Sequence, residues 1–320
     1  MPLSVIDVRR ASTHLFSSIG IETCSRCNRR CKFCPVAYDD RPTEYMDMRM
    51  FDGILYDLRS LNYRGRIELY MYNEPLLDPN IEECIEHVRT IVPSSCIMIS
   101  TNGDLIRGPD AISRLFECGL NQLLVNVYSS AKRASVLEGY VHSLGLENGN
   151  LYGRISPNKR VAEVSHKYTV EDGMLGRFHL TNRAGNIEEY IPAVTSPLDS
   201  ICTRPFRFMN INWQGEAMLC CNDYSMDIDI GNVRNFSLSR LWNAPVLQLY
   251  RLKLQAHNRH MPVCDKCDFA GGYYTHMLHH VTLGYEADKR IKDADLIDDD
   301  NLMEALISVE AAMYGSGEEM

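Results

Sequence analysis

The sequence contains no apolar run that approaches the roughly 18 residues of a transmembrane helix. Its N-terminus also lacks the short apolar stretch of a secretory signal peptide. Basic residues are outnumbered, with 33 lysines and arginines against 42 aspartates and glutamates and a net charge of −9. A nucleic-acid scaffold would need a basic surface instead. These absences predict a soluble, cytoplasmic protein that acts neither in a membrane nor on nucleic acid.

Cysteine, in contrast, is plentiful, with 12 residues in a chain of 320. A secreted disulfide scaffold with so many cysteines would be a much shorter chain. Nine of the 12 cysteines fall in two groups, within residues 24–34 and 202–267. This grouping favours metal sites in a reducing compartment. The length and the hydrophobic content of 45% allow one large domain with a small appendage.

The first group contains the run Cys-Asn-Arg-Arg-Cys-Lys-Phe-Cys. Its three thiolates, from Cys27, Cys31 and Cys34, can hold a four-iron cluster and leave the fourth iron without a protein ligand. An iron with an open position can bind a substrate or cofactor directly. The alternative is a zinc knuckle, because Cys24 and Cys27 form one C-x-x-C pair and the other two cysteines form a second. Zinc ribbons usually separate such pairs by about a dozen residues or more, whereas here only Asn28 to Arg30 intervene.

Apolar runs and turn residues predict strands that alternate with helices. The predicted strands are residues 18–24, 66–72, 96–101, 122–128, 160–167 and 177–182, and two predicted helices are residues 80–91 and 109–118. Such alternation indicates a parallel sheet, whose ligands collect at the carboxyl ends of its strands. Four motifs fall at successive strand ends: the cysteine run, Asn73-Glu74-Pro75, Ser100 to Gly103 and Asn126 to Ser129. Each alone would be an ordinary turn, but together they predict one site.

The cysteine run, with Phe33 before its last cysteine, resembles the cluster loop of the radical S-adenosylmethionine (radical SAM) superfamily. The resemblance implies an α/β fold, an open (β/α)6 partial barrel over residues 18–195, in which SAM chelates the open iron. Phe33 would lie against adenine, and the segment Asn73, Glu74 and Pro75 would bind the ammonium group of SAM. Asn73 stands where the family often has glycine. The positions that usually contact the ribose and the methionine carboxylate are Ser100, Thr101, Asn102 and Asn126.

The second cysteine group resembles the twitch domain, which is the shorter form of the SPASM extension of radical SAM enzymes. The resemblance implies a small β-hairpin and helix over residues 196–275 that hold one auxiliary [4Fe–4S] cluster. The implied ligands are Cys202, Cys220, Cys264 and Cys267. No cysteine follows Cys267, so the second auxiliary cluster of the longer form cannot be built. A cluster with four thiolates is closed to substrate, and we therefore expect it to transfer electrons.

Two further residues are candidates for catalysis. Cys221 could donate a hydrogen atom to a substrate radical, and its alternative role is that of a small buried hydrophobic residue. Arg183 is predicted to end the sixth strand and to contact substrate or SAM, with a surface ion pair as the alternative. The remaining segments are an N-terminal extension, residues 1–17, and a tail, residues 276–320, with an acidic linker and a terminal helix. The histidines of that tail, His276, His279 and His280, are more typical of a solvated face than of a metal site.

The two resemblances imply an enzyme with two [4Fe–4S] clusters that reductively cleaves SAM to a 5′-deoxyadenosyl radical. This radical would abstract hydrogen from a small polar substrate of the sugar or aminocyclitol type. Family members with a similar twitch spacing include aminocyclitol dehydrogenases of antibiotic pathways, and related enzymes epimerise sugars, so dehydrogenation and epimerisation both stay open. Peptide maturation is one alternative function, which is disfavoured because only residues 1–17 precede the first strand. The alternative from another class is a zinc-stabilised binding protein. The expected electron donor is a flavodoxin or ferredoxin.

Overall fold

The computed structural model describes residues 15–146, 159–166, 174–175 and 178–270. These residues form two compact units. The sheet unit consists of Ser18–Leu180 together with Ile211–Gly215. The cysteine unit comprises Thr181–Asn210, the described residues from Glu216 onward and the few before Ser18. The predicted tail and its three histidines lie outside the described residues, and the predicted domain boundaries stay a prediction.

The sheet unit is built on five parallel strands. They are β1 (Ser18–Ile21), β2 (Arg66–Glu68), β3 (Cys96–Thr101), β4 (Gln122–Val127) and β5 (Val161–His166), hydrogen-bonded in that order. Their side chains are mostly buried, which explains why these segments read as apolar runs without alternation. The carboxyl ends of all five strands therefore meet at one edge of the sheet.

One helix lies in each connection between these strands, as parallel pairing requires. The helices are α1 (Met48–Ser60), α2 (Ile81–Ile91), α3 (Pro109–Glu117) and α4 (Ala131–Ser143). In α2 the buried residues Ile81, Cys84, Ile85 and Val88 recur every three or four positions and form the apolar stripe that a sheet-facing helix needs. This arrangement confirms the predicted α/β class with a parallel sheet.

The predicted sixth strand is wrong as a member of that sheet. Residues 177–182 contain only the two-residue strand β7 (Phe178–His179), which pairs antiparallel with β6 (Met174–Leu175) in a separate sheet. The chain between β5 and β7 is shorter than the roughly dozen residues that a parallel crossover needs. The helices α1 and α4 were also missing from the sequence-based prediction.

The cysteine unit contains short elements. They are α5 (Arg204–Arg207), β8 (Phe208–Ile211), β9 (Ala217–Met218), α6 (Leu238–Trp242) and α7 (Pro245–Gln255). The last residue of β8 belongs to the sheet unit, where the Ile211 carbonyl accepts the Glu22 N–H at 2.9 Å. In the part of the chain that the structure describes, none of the helices has the length and hydropathy to cross a bilayer.

Candidate active site: two cysteine centres

The loop after β1 carries Cys27, Cys31 and Cys34, all partly buried. Burial, together with the nearby Cys34 and Cys27, raises the pKa of the Cys31 thiol to about 11. The thiols are thus close enough to oppose each other's ionisation. Iron would remove this penalty, because its positive charge stabilises the thiolates that bind it. The donor set, three thiols and no fourth, fits a four-iron cluster with one open iron.

An ion pair fastens the cysteine loop to the chain that follows β3. The Arg29 guanidinium donates to both carboxylate oxygens of Asp104, with Nε and Nη2 each at 2.7 Å. The Arg29 guanidinium carbon also lies 5.7 Å from the ring centre of Tyr128, the residue after β4. Such a two-pronged contact fixes the guanidinium in orientation as well as position. The loop is therefore held by the ends of two strands.

Glu74, after β2, joins two of the predicted SAM segments. Its carboxylate accepts hydrogen bonds from Thr101 Oγ1 at 2.6 Å, the Asn102 N–H at 2.7 Å and the Leu76 N–H at 3.1 Å. Its own N–H donates to the carbonyl of Arg26 in the cysteine loop at 2.8 Å. Burial raises the pKa of Glu74, and these three donors oppose the rise. The side chain is 2% exposed, and Pro75 behind it starts a 3-10 turn, Pro75–Leu77.

Asn73 is engaged with the first part of the cysteine loop. Its Nδ2 donates to Cys24 Sγ at 3.4 Å, and its Oδ1 accepts the Met71 N–H at 2.9 Å. The Cys24 thiol is buried and points at the Glu74 carbonyl at 3.6 Å. Burial raises the pKa of Cys24 to about 11, which keeps it a thiol. Cys24 is therefore a packed neighbour of the loop.

The other predicted SAM residues lie at the ends of β3 and β4. Asn126 Nδ2 donates to Ser100 Oγ at 2.9 Å. Asn102 Nδ2 donates to Asn28 Oδ1 in the cysteine loop at 2.7 Å and lies 3.8 Å from Cys27 Sγ. The predicted adenine neighbour Phe33 packs against Tyr128, with ring centres 5.4 Å apart. The structure thus brings the four motifs together at one edge of the sheet.

The second centre lies in the cysteine unit and gathers four buried thiols, those of Cys202, Cys220, Cys264 and Cys267. Burial raises the pKa of Cys264, and neighbouring Cys202 and Cys267 raise it further. Asn222 supports the sulfurs, because its N–H donates to Cys220 Sγ at 3.4 Å and its Nδ2 to Cys267 Sγ at 3.2 Å. Four neighbouring buried thiols, two of which accept hydrogen bonds from Asn222, fit a cluster with a full set of protein ligands. No three or more His, Cys, Asp or Glu side chains of the described ranges are grouped to hold a single metal ion.

Comparisons with known families agree with this division. Residues 21–144 match the model of the radical SAM superfamily. Residues 202–268 match the SPASM model, an iron–sulfur cluster-binding domain. The chain combines a radical SAM domain with a SPASM domain. Its cofactors are SAM and two iron–sulfur clusters, one for each of these domains.

The radical SAM chain is similar to the S-adenosyl-L-methionine-dependent 2-deoxy-scyllo-inosamine dehydrogenase of Niallia circulans. The two are 26% identical over 256 residues, which cover 79% of this chain and 93% of the relative. The fold of this chain resembles that of BtrN in complex with AdoMet and 2-DOIA, with a TM-score of 0.63 and 24% identity. The match covers 80% of this chain and 94% of the other. A second BtrN structure, in an open conformation, matches with a TM-score of 0.56 and 21% identity over 80% of this chain and 93% of that one.

A buried ion pair at the base of the radical SAM site was missed by sequence reasoning. Glu22 is completely buried, and both of its oxygens accept hydrogen bonds from Arg41, at 2.8 and 2.7 Å. The Arg41 guanidinium stacks on Trp213 at 4.1 Å. Glu22 Oε1 also accepts the Tyr72 N–H at 3.2 Å and so steadies the strand end that leads to Asn73. Nothing in the local sequence marks these partners, because they are far apart along the chain.

The two predicted catalytic residues both lie in the cysteine unit. Cys221 is partly buried, and its charge is the strongest of the neighbouring charges that raise the pKa of Cys220, after burial itself. Arg183 starts a 3-10 turn, Arg183–Gly185, in the left-handed backbone region with a φ of 52°. It does not end a parallel strand, so that part of the prediction is wrong. Any catalytic role of Arg183 or Cys221 stays a prediction.

Proposed function

We propose that this protein is a radical SAM dehydrogenase that oxidises a secondary alcohol of an aminocyclitol-type substrate to a ketone. The observation that carries the proposal is the pairing of two different cysteine centres. One has three thiols beside the strand-end motifs, and the other has four buried thiols supported by Asn222. The first donor set suits SAM activation, and the second suits an electron acceptor. The similarity to a 2-deoxy-scyllo-inosamine dehydrogenase supports the substrate class.

We assign one iron–sulfur cluster to Cys27, Cys31 and Cys34, and the auxiliary cluster to the second set. The auxiliary ligands are Cys202, Cys220, Cys264 and Cys267. When bound, these cofactors supply the electron that cleaves SAM and accept the electron that leaves the substrate. We assign the SAM site to the strand-end segments around Glu74, with Phe33, Asn73, Pro75, Ser100, Thr101, Asn102 and Asn126 as its wall.

The protein's own contribution is to hold these segments at fixed distances before SAM arrives. Glu74 ties the chain after β2 to Thr101 and Asn102. Asn102 and Arg29 in turn tie the cysteine loop to the end of β3. A site that is ordered in advance spends less binding energy on reorganisation. Tyr128, packed on Phe33, closes one side of this wall with an apolar surface.

The proposed reaction balances in electrons and protons. One electron and SAM give methionine and the 5′-deoxyadenosyl radical, which takes a hydrogen atom from the carbon that bears the hydroxyl. Loss of the hydroxyl proton to water and of one electron then gives the ketone. The electron released equals the electron consumed, so each turnover converts one SAM and one alcohol into methionine, 5′-deoxyadenosine, ketone and a proton. An epimerase would instead return a hydrogen atom from a thiol such as Cys221.

We further propose a cytoplasmic location and a flavodoxin or ferredoxin as electron donor. The net charge of −9 argues against a nucleic-acid partner. Two clusters of reduced iron and cysteine suit a reducing compartment.

The test is anaerobic turnover of the reconstituted protein with SAM, a reductant and 2-deoxy-scyllo-inosamine. We expect equal amounts of 5′-deoxyadenosine and of a product two hydrogens lighter than the substrate. Substrate deuterated at the reacting carbon should transfer its label to 5′-deoxyadenosine. SAM cleavage that no aminocyclitol stimulates would contradict the substrate class, while leaving the radical SAM assignment intact.

A parallel reaction in deuterated water separates dehydrogenation from epimerisation. An epimerase would give an isomer of the substrate in which one solvent deuterium replaces the abstracted hydrogen. Cys221→Ala would stop formation of this isomer while hydrogen abstraction continued. For a dehydrogenase we expect no deuterium at that carbon, and Cys221→Ala should keep most of its turnover. Cys202→Ala should lose turnover, because it removes a proposed ligand of the electron acceptor. Solvent deuterium at the abstracted position would overturn the proposal.

A further inference from the structure

Beside the four buried thiols, the described part of the protein leaves a buried cationic donor without a hydrogen-bond partner, together with two buried acceptors, Asn222 Oδ1 and Asp265 Oδ1. Nη1 of Arg204 is buried and has no hydrogen-bond partner among the described residues. An unpaired, buried, charged donor is destabilising and is rare in native structures. Such a group therefore calls for an explanation by something that the cysteine unit binds.

Arg204 is held between the two segments that carry the thiols. It follows Cys202 by two residues, and its backbone N–H bonds to the Cys202 thiol. Its guanidinium stacks 3.7 Å above the ring of Phe269, which follows Cys267 by two residues. Arg204 is therefore held between the segments that carry Cys202 and Cys267, by its backbone hydrogen bond to Cys202 and by the ring of Phe269.

The charge of Arg204 acts on the thiols directly. Four cysteine thiols, those of Cys221, Cys220, Cys202 and Cys267, lie within electrostatic range of the Arg204 guanidinium. A second cation, Arg259, is also near Cys202 and Cys264. Arg259 differs because its three donors are satisfied, by the Ser200 carbonyl at 2.7 Å, the Ser200 hydroxyl at 3.0 Å and the Phe269 carbonyl at 2.7 Å. Of these two cations, Arg204 is the one with a buried donor that lacks a partner among the described residues.

We propose that the positive charge of Arg204 raises the reduction potential of the auxiliary cluster. This effect makes the cluster an electron acceptor. A cluster with four thiolates is negatively charged, and reduction adds one more negative charge in a buried place. A fixed cation stabilises the reduced form more than the oxidised form, so it favours reduction. The inference rests on the proposed function, because an acceptor is needed only when the substrate radical loses an electron.

The experiment measures the potential of the auxiliary cluster alone, in the full-length chain. Replacing Cys27, Cys31 and Cys34 by Ala removes the first cluster, and the remaining signal is followed by electron paramagnetic resonance during a redox titration. In this background we expect Arg204→Gln to reduce the equilibrium constant for reduction at least about tenfold, which is a shift of about 59 mV to lower potential. Arg204→Lys, which keeps the charge, should recover most of this shift.

The matched control is Arg207→Gln in the same short helix. It removes an equal charge, but Arg207 is not among the strongest of the charges that act on Cys202, Cys220 and Cys264. In Arg207→Gln, the equilibrium constant for reduction of the auxiliary cluster should stay within a few-fold of the parent value. The proposal is overturned if Arg204→Gln keeps its iron and the parent potential, or if Arg207→Gln shifts the potential equally.

Iron content decides the case in which Arg204→Gln binds no cluster. If Arg204→Lys then holds four irons, the charge is needed for assembly, which supports charge compensation. If Arg204→Lys also binds none, the side chain serves packing alone and the proposal fails. The potential is measured without substrate, so a failed aminocyclitol assay would leave this result standing and would contradict only the reaction.

Discussion

At the scale of single residues, Glu74 links binding and architecture. Its carboxylate is already occupied by donors from Thr101, Asn102 and Leu76. Its backbone is tied to the cysteine loop through Arg26. Loss of the carboxylate would therefore release the segments on both sides of the proposed SAM site, whether or not the carboxylate touches SAM itself.

We predict that Glu74→Ala weakens SAM binding roughly ten- to a hundredfold, since a hydrogen bond to a charged group contributes about 1.5–3 kcal/mol. Both clusters should still assemble, because none of the proposed ligands changes. Equilibrium dialysis with labelled SAM measures the affinity, and iron analysis checks the clusters. Thr101→Val, which removes one of the three donors and keeps the carboxylate, is the matched control and should lose less affinity. Wild-type affinity in Glu74→Ala would show that the motif is only a turn.

Asp223, in the turn after β9, gives a prediction about pH. Both of its oxygens accept backbone N–H groups, from Leu219 at 3.4 Å and Asp227 at 3.0 Å. Burial raises the pKa of Asp223 to about 6, whereas an unfolded aspartate titrates near about 3.9. Between these values the folded state binds more protons than the unfolded state, so the free energy of unfolding falls as the pH rises.

From pH 5 to pH 7 this single group should lower the free energy of unfolding by about 1–1.5 kcal/mol. Urea unfolding of the anaerobic protein at the two pH values measures the difference, and Asp223→Asn should abolish this part of it. Asp229→Asn, at an exposed carboxylate nearby, should retain it. An unchanged pH dependence in Asp223→Asn would assign the effect to other groups.

At the scale of elements, the helix α1 shows how a local signal sets a boundary. Asp47 precedes the helix, and its Oδ1 accepts the N–H groups of Arg49 at 3.0 Å and Met50 at 3.1 Å. These are two of the four N–H groups that an α-helix leaves unpaired at its start. The buried stripe then begins at once with Met50 and Phe51.

We predict that Asp47→Ala lowers the free energy of unfolding by about 1 kcal/mol through loss of this cap. Asp47→Asn keeps an oxygen acceptor and should stay close to the wild type. Urea titration followed by circular dichroism gives both values. Equal stability of the alanine and asparagine variants at the wild-type level would mean that water replaces the cap at no cost.

Elements were predictable where their pattern was local. Strand β3 was predicted with its observed ends, Cys96 and Thr101, because a buried apolar run stops there at Asn102-Gly103. The Gly103 backbone has a φ of 74°, which suits glycine at the turn. The β7 strand was placed in the wrong sheet, because strand pairing depends on the length of the connection and on distant partners rather than on composition.

In the candidate site, too, some residues could be predicted from the sequence and others could not. The seven proposed cysteine ligands could be named from the sequence, three from the spacing of the first run and four from the resemblance to the twitch domain. The buried pair of Glu22 with Arg41, stacked on Trp213, depends on contacts between residues that are distant along the chain. The unpaired Nη1 of Arg204 is likewise a property of burial, which no spacing records.

At the scale of the whole molecule, the two cysteine centres should load iron separately. We predict about eight irons in the anaerobically reconstituted protein, since each four-iron cluster contributes about four. Cys27→Ala, Cys31→Ala and Cys34→Ala together should leave about four, and so should replacement of the four auxiliary ligands. Iron and sulfide analysis gives the count, and Cys84→Ala is the control at a buried helix cysteine. A triple variant with no iron would show that the centres do not assemble independently.

The chain's two tryptophans are divided between its two compact units. Trp213 lies in the sheet unit, where its Nε1 donates to Glu44 at 3.0 Å. Trp242 lies in the cysteine unit, edge-on to Phe16 with ring centres 5.3 Å apart. Each unit thus carries its own intrinsic fluorophore, and Trp213→Phe and Trp242→Phe each leave a single emitter. Denaturation followed by emission from each variant would reveal whether one half of the enzyme can melt while the other stays folded.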